Sequence, residues 1–237
     1  MAGSVSWVIV VADGDGVPAG LPRAVAEAVA AGVQRPFVIA ADGGARRALD
    51  LGVTPDLVVG DGDSADADTL DRLRALGVPV DLAPADKDES DTELCLRAAL
   101  DRGARSIRIV GALGGPRVEH SIANLLLLGH PMLDLVDAAI VAPPSVIRRM
   151  GTVDGPGAIT VRGAPADHLS LMALDSVVEG VTTHDLRYPL HGEPLVPGPA
   201  RGLSNALLAE TARVTTRRGR LLLIHTTPQG ARTEIHP

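Results

Sequence analysis

Residues 58–70 read VVGDGDSADADTL, an apolar run that breaks at once into four aspartates within eight positions, Asp61, Asp63, Asp66 and Asp68. A β-branched run that ends in glycine and is followed by a helix start is how a strand of a parallel sheet passes into its crossover helix. Asp61 and Asp63 stand two residues apart, so in extended backbone both carboxylates project to one side. At a separation of about 4 Å such charges repel by about 4 kcal/mol at an effective dielectric near 20. A bound cation removes that cost. Hard oxygen donors suit Mg²⁺, which takes one or two carboxylates and completes its shell with water and substrate phosphates. A plainer reading has Asp63 and Ser64 capping the next helix, with Asp66 and Asp68 enriching its first turn. It accounts for the last two aspartates and not for Asp61, which precedes any cap. An EF-hand is excluded, because Ala65 and Asp66 stand where a ligand and the obligatory glycine belong.

Working outward, the same alternation of short strand and longer helix runs from the start of the chain to about residue 142. The strands are expected at VSWVIVVA, PFVIA, DLVVG, VPVDL, SIRIVGA and AAIVA. Between them lie helices with start and stop signals: Pro22 opens one, Gly52 and Gly77 close two others, and Ser90 with Glu93 spells a capping box. From Ala142 the texture changes. APPS reads as a linker, and AITVRG, HLSLMAL, TARVTTRRG and RLLLIHT alternate with glycine and proline turns. The expected architecture is an α/β domain with a mostly parallel sheet over residues 1–143, followed by a small all-β, sandwich-like domain over 144–237.

Bulk composition narrows the function classes. The 237 residues carry a formal charge of −7 and are 46% hydrophobic, enough for a sizeable core. The acidic balance and scattered Lys and Arg argue against a nucleic-acid or anionic-membrane surface. No apolar run reaches the roughly 18 residues of a membrane span, and the first residues lack a basic leader, so a cytoplasmic location is expected. Cys95 is the single cysteine, which excludes an intramolecular disulfide and a Cys-rich zinc site. His168, His184, His191 and His225 in the second half show no zinc spacing, and no nucleophile elbow occurs.

In open α/β sheets ligands collect beyond the carboxyl ends of the strands, and four polar clusters fall there: ADGG (41–44), GDGDS (60–64), ADKDESD (85–91) and GALGGPRVEH (111–120). Gly43, Gly44, Gly114 and Gly115 are cradle positions at which backbone amides approach a phosphate. DKDESD adds Asp86, Asp88 and Asp91 with Lys87, so a third carboxylate can meet the same cation while the lysine faces phosphate; the plainer reading is a solvated, capped helix start. Arg117, Glu119, His120 and Asn124 precede or line one face of a helix, where Arg117 could bind phosphate and Glu119 a ribose or nucleophile, or where both could equally be surface charges.

Taken in order, ADGGARRALDLGVTPDLVVGDGDS (41–64), DKDESDTE (86–93), GALGGPRVEHSIANLLLL (111–128) and VTTHDLRYPLHGEPLVPGPARGLSN (181–205) resemble the thiamine pyrophosphokinase family over nearly the whole chain. The first is similar to that family's catalytic signature and the second to its second acidic motif. The third is similar to its Gly-Gly-Arg-x-Asp-His motif, and the fourth to its thiamine-binding β domain. The resemblance implies transfer of a pyrophosphoryl group from ATP to the hydroxyl of thiamine with release of AMP, in a homodimer whose active sites lie between subunits. By motif position Asp61, Asp63 and Asp91 are the magnesium-centred carboxylates. Asp42, Gly43 and Gly44 stand near the nucleotide with Lys87, Gly114, Gly115, His120 and Asn124. Arg117 steadies phosphate, Asp91 or Glu119 accepts the hydroxyl proton, and Ser204 and Asn205 touch thiamine. The chain departs from the pattern at Pro116, inserted before Arg117, at Glu119 in place of Asp, at Leu94 where Lys is common, and at Ala206 after Ser-Asn.

Three rival readings stand beside this one. GDGVPA (14–19) matches a loose dinucleotide fingerprint, although Pro18, Gly20 and Pro22 postpone the helix that should open inside the motif. A pyrophosphokinase for another small alcohol, such as a pterin, would share the catalytic half. A nucleotide-binding regulatory protein that has lost catalysis would carry departures such as Leu94, Glu119 and Ala206.

Overall fold

The computed structural model describes residues 5–15, 17–30, 35–62, 66–84 and 86–227, in two compact units. The first unit holds residues 1–127 and 135–142, and the second residues 128–134 and most of 143–233.

The apolar runs of the first unit form the strands β1 (Trp7–Val11), β2 (Phe37–Ala41), β3 (Leu57–Gly60), β4 (Val80–Leu82), β5 (Ser106–Val110) and β6 (Asp137–Ala142). All their pairings in this unit are parallel, in the order β6-β5-β1-β2-β3-β4. Val8, Ile9, Val10 and Val11 have no exposed surface, the continuous burial expected of a parallel strand covered on both faces. Arg108 is the exception inside β5. It is 1% exposed and donates to the carbonyl and carboxylate of Asp137, at 2.9 and 2.7 Å.

The crossovers are α1 (Leu21–Ala30), α2 (Gly44–Asp50), α3 (Ala67–Ala75) and α4 (Asp91–Asp101), with α5 (Val118–Leu127) after β5. Helices α2 and α4 pack on β1 and β2 through Ala45, Ala48, Leu49, Cys95, Leu96 and Ala99. Helix α3 is capped by Asp66, whose carboxylate accepts from Thr69 N at 2.7 Å. This corrects the expectation that Asp63 and Ser64 cap it: the helix starts later than they would require. Ser90 caps α4, its hydroxyl accepting from Glu93 N at 3.2 Å.

Strand order decides where a ligand can sit. The chain lays down β1 to β4 in one direction and then returns to place β5 on the other side of β1, which makes β1/β5 the switch point of the sheet. In open α/β sheets ligands collect beyond the carboxyl ends of the strands at such a point.

The second unit is antiparallel. β7 (Ser145–Met150), β14 (Leu221–Thr226), β9 (His168–Ala173) and the short β12 (Asn205–Ala206) pair in that order. β8 (Gly157–Arg162), β13 (Thr211–Thr216), β10 (Val178–His184) and β11 (His191–Leu195) form the other sheet. Alternate residues turn inward, and Leu169, Leu171, Leu221 and Leu223 pack with Val161, Val178, Val181 and Val214. The fold is therefore an α/β unit with a parallel sheet followed by an all-β sandwich. APPS is a turn around Pro143 and Pro144 rather than an extended linker, with β7 beginning at Ser145.

Candidate active site

Three of the first strands end in the same two residues. Asp13-Gly14 follows β1, Asp42-Gly43 follows β2 and Asp61-Gly62 follows β3. The register of β2 with β3 sets Ala41 opposite Val59, so the aspartates beyond them leave the sheet side by side. Asp42 is 3% exposed and holds a left-handed backbone, φ 40°. Its N–H donates to Val59 O at 2.9 Å and its carbonyl accepts from Ala45 N at 2.9 Å, which fixes its backbone in place. A strained, buried, acidic residue at a strand end is a recurrent mark of a functional position. A side chain at Gly60 would meet Asp42 Cβ at 2.7 Å, and one at Gly44 would meet the Val11 carbonyl at 2.1 Å. These contacts require glycine where the loops close on one another.

Asp42, Asp61 and Asp91 each offer a carboxylate oxygen within 4.8 Å of the others. Full charges that close repel by about 3 kcal/mol per pair at an effective dielectric of about 20. Lys87 answers part of this. Its Nζ lies 2.8 Å from Asp91 Oδ1 and 3.2 Å from Asp61 Oδ2, with the side chain 11% exposed. Burial works against the ammonium, but the bonds to Asp91 and Asp61 outweigh it and hold the Lys87 pKa above the ordinary lysine value. Asp91 opens α4 directly after the Ser90 cap, so its position is set by the helix. Asp63, expected as a third ligand, lies outside the described residues, and Asp42 is the residue that stands with Asp61 and Asp91 in the described geometry. Asp86 and Asp88 are exposed.

On the other side of the switch point the β1 and β5 loops are bonded together. Gly14 N donates to Gly111 O at 2.7 Å, and Gly115 N donates to Asp15 Oδ2 at 2.7 Å. Gly114 and Gly115 both have left-handed backbone, φ 86° and 83°, which turns their amides away from the strand direction. Arg47 on α2 reaches Asp13 Oδ1 at 2.8 Å and Asp15 Oδ1 at 3.3 Å. Asp13, Asp15 and Arg47 did not stand out among the sequence motifs. The signal that reveals them is the Asp-Gly pair repeated after β1, β2 and β3. Helix α1 begins only at Leu21, so no helix start faces the Gly14 loop as a dinucleotide fingerprint requires.

Arg117 Nε donates to Glu119 Oε1 at 3.0 Å, both side chains being largely exposed. That bond, followed by one from the backbone N–H of Glu119, holds the Glu119 carboxyl below its ordinary pKa. His120 is exposed on the same turn. Asn124 is buried, and its Nδ2 donates to Ala112 O at 2.8 Å, fastening α5 to the glycine loop.

In the second unit Ser204 has φ 56° and its N–H donates to Ser170 Oγ at 3.0 Å. Asn205 is buried, and its amide is spent on Tyr188: Oδ1 accepts from Tyr188 N at 2.9 Å and Nδ2 donates to Tyr188 O at 2.6 Å. Beside Leu203 lies a recess of about 150 Å³, lined among others by Leu171, Met172, Leu195 and Val196.

Residues 33–137 match the family model described as "Thiamin pyrophosphokinase, catalytic domain", and residues 158–221 match "Thiamin pyrophosphokinase, vitamin B1 binding domain". The chain belongs to the thiamine pyrophosphokinase family. Its function is the family's, the formation of thiamine diphosphate, and the vitamin B1 domain weighs against a pterin substrate. The thiamine pyrophosphokinase of Bacillus subtilis (strain 168) is 24% identical over 190 residues, 80% of this chain and 86% of that protein. The crystal structure of thiamine pyrophosphokinase from Bacillus subtilis has a TM-score of 0.78 at 22% identity, covering 93% of this chain and 99% of the other. That of a thiamin pyrophosphokinase family protein from Enterococcus faecalis gives 0.75 at 26% identity, covering 94% and 99%. Yeast thiamin pyrophosphokinase keeps a TM-score of 0.75 at 11% identity, covering 95% and 88%.

Proposed function

We propose that the carboxyl edge of the parallel sheet transfers a pyrophosphoryl group from ATP to the hydroxyl of thiamine, with Asp42, Asp61 and Asp91 holding the divalent cation of the nucleotide. The hydroxyl oxygen attacks the β-phosphorus, the bond from that phosphorus to the α-phosphate oxygen breaks, and AMP leaves. The observation that carries the reading is the convergence of those three carboxylates, from three separate segments, within 4.8 Å. Three hard oxygen donors fit Mg²⁺. When bound, the ion neutralises charge developing on the transferring group.

The rest of the work falls to the chain itself. Asp63 belongs by motif to the same carboxylate set. Gly43, Gly44, Gly114 and Gly115 bring backbone amides toward the nucleotide, and Arg117 balances phosphate charge alongside Lys87. The hydroxyl proton passes to a carboxylate at this edge, Asp91 or Glu119. His120 and Asn124 stand on the helix that follows the glycine loop, Asn124 by fixing that helix to Ala112. In the second unit Ser204 and the recess beside Leu203 support thiamine binding, with Asn205 shaping the loop through Tyr188.

We also assign the protein to a homodimer in the cytoplasm. Support for the dimer comes from α5, where Val118, Ile122 and Leu126 form a stripe at four-residue spacing and are 69%, 53% and 59% exposed. Support for the location comes from the single, buried Cys95 and from the absence, among the described residues, of a helix long and apolar enough to cross a membrane. The deciding experiment is a coupled assay for AMP from Mg·ATP, run with thiamine and with a pterin alcohol. AMP formation that depends on thiamine is expected. Nucleotide binding without AMP release for either alcohol would return the protein to the regulatory reading.

A further inference from the structure

We propose that Lys87 is the resident counter-cation of the Asp42–Asp61–Asp91 cluster and the side chain that an entering divalent ion must displace. Metal entry and release of the lysine ammonium toward the nucleotide's phosphates are then one exchange. This rests on the cation reading of the cluster and adds to it a built-in competitor.

The geometry places the ammonium inside the cluster and not beside it. Nζ contacts Asp61 and Asp91, two of the three residues that would supply metal oxygens, and does so from a side chain 11% exposed. Its chain neighbours Asp86 and Asp88 are exposed, so Lys87 is turned onto the cluster and away from the nearest carboxylates in sequence. Among the described side chains three carboxylates meet the ammonium of Lys87, and a divalent ion brings more positive charge than the ammonium it displaces. The two cations cannot both keep the same oxygens. Asp91 is held by the start of α4 and Asp42 by its backbone bonds, so rotation of the lysine side chain alone clears the site. Other basic groups near these loops are engaged: Arg47 with Asp13 and Asp15, and Arg117 with Glu119. A bare metal ion therefore displaces a bound ammonium that has nowhere better to go. A metal ion carrying a triphosphate brings the ammonium a new partner. The exchange makes the site favour the metal–nucleotide complex over either component.

The test is Mn²⁺ binding to the nucleotide-free, full-length protein, followed by the electron paramagnetic resonance of the free ion. Removing the competitor in Lys87→Met should tighten Mn²⁺ by at least about tenfold, within the usual range of coupling between sites. Lys87→Gln should behave alike, should either variant fold poorly. Adding Asp61→Asn to Lys87→Met should abolish the gain. A lysine that only braces the carboxylates predicts no such tightening, so unchanged or weaker Mn²⁺ binding in folded Lys87→Met and Lys87→Gln would overturn the exchange while leaving the cation site standing. No Mn²⁺ binding in any of the proteins would overturn the cation site, and the exchange with it.

Discussion

The two units treat their carboxylates differently. In the β unit, Asp175 has a partner of its own: Arg220 meets it through Nε, Nη2 and the backbone N–H, the closest contact being 2.6 Å. At the edge of the parallel sheet, Asp42, Asp61 and Asp91 crowd together around the single ammonium of Lys87. The first arrangement is balanced and serves the fold. The second gathers three carboxylates from separate segments on one lysine, and it is the arrangement we propose for the cation. An acidic residue is thus informative less by its own burial than by whether the surrounding charges already sum to zero.

The strongest way to break this contrast is Asp61→Ala. Turnover should fall by at least about a hundredfold, the scale of losing one strong electrostatic stabiliser, while thermal stability holds or rises because a like charge has gone. Near-normal turnover would return Asp61 to the surface. The mirror experiment is Asp175→Asn. It should cost about 2 kcal/mol in chemical denaturation, the size of a charged hydrogen bond, with turnover of the remaining folded enzyme unchanged. A large loss of turnover at unaltered stability would dissolve the distinction. A sharper probe lies inside the opening acidic run, where Asp66→Ala removes the α3 cap. It should lower the melting temperature by a few degrees and spare catalysis, in contrast to Asp61 only five positions earlier. The smallest effect is in pH. Arg220 holds the Asp175 carboxyl below its ordinary value of 3.8. Its contribution is therefore present above the unfolded pKa and is lost as pH falls through the lower folded one. Acid unfolding of the wild type below about pH 4 should flatten in Asp175→Asn; equal slopes would remove this pair from the account.

Much of the first unit was legible because a parallel strand covered on both faces is written as an unbroken apolar run, as in WVIVV of β1 and LVVG of β3. The second unit was less so. SVIRRM of β7, VEGVTTH of β10 and HGEPL of β11 mix arginine, glycine and proline into strands, and their pairing partners rather than their composition make them strands. The helix cap after β3 was misplaced because DSADAD offers several capping residues in a row, and only the path of the backbone ranks them. Asp42 was read as a nucleotide neighbour. Its place beside Asp61 depends on the register of β2 against β3, which nothing in the spacing of 42 and 61 encodes. The Ser-Asn motif marked a loop without revealing that the Asn205 amide is already committed to Tyr188.

On the proposed nucleotide reading, the bond from Gly115 N to Asp15 Oδ2 bears on how fast the glycine loop takes up an anion. An amide that already donates to an internal carboxylate is rehearsing the contact it would make with an anion. Arrival of that anion swaps one acceptor for another, so the loop is spared a search for its working shape and the swap leaves its tally of hydrogen bonds unchanged.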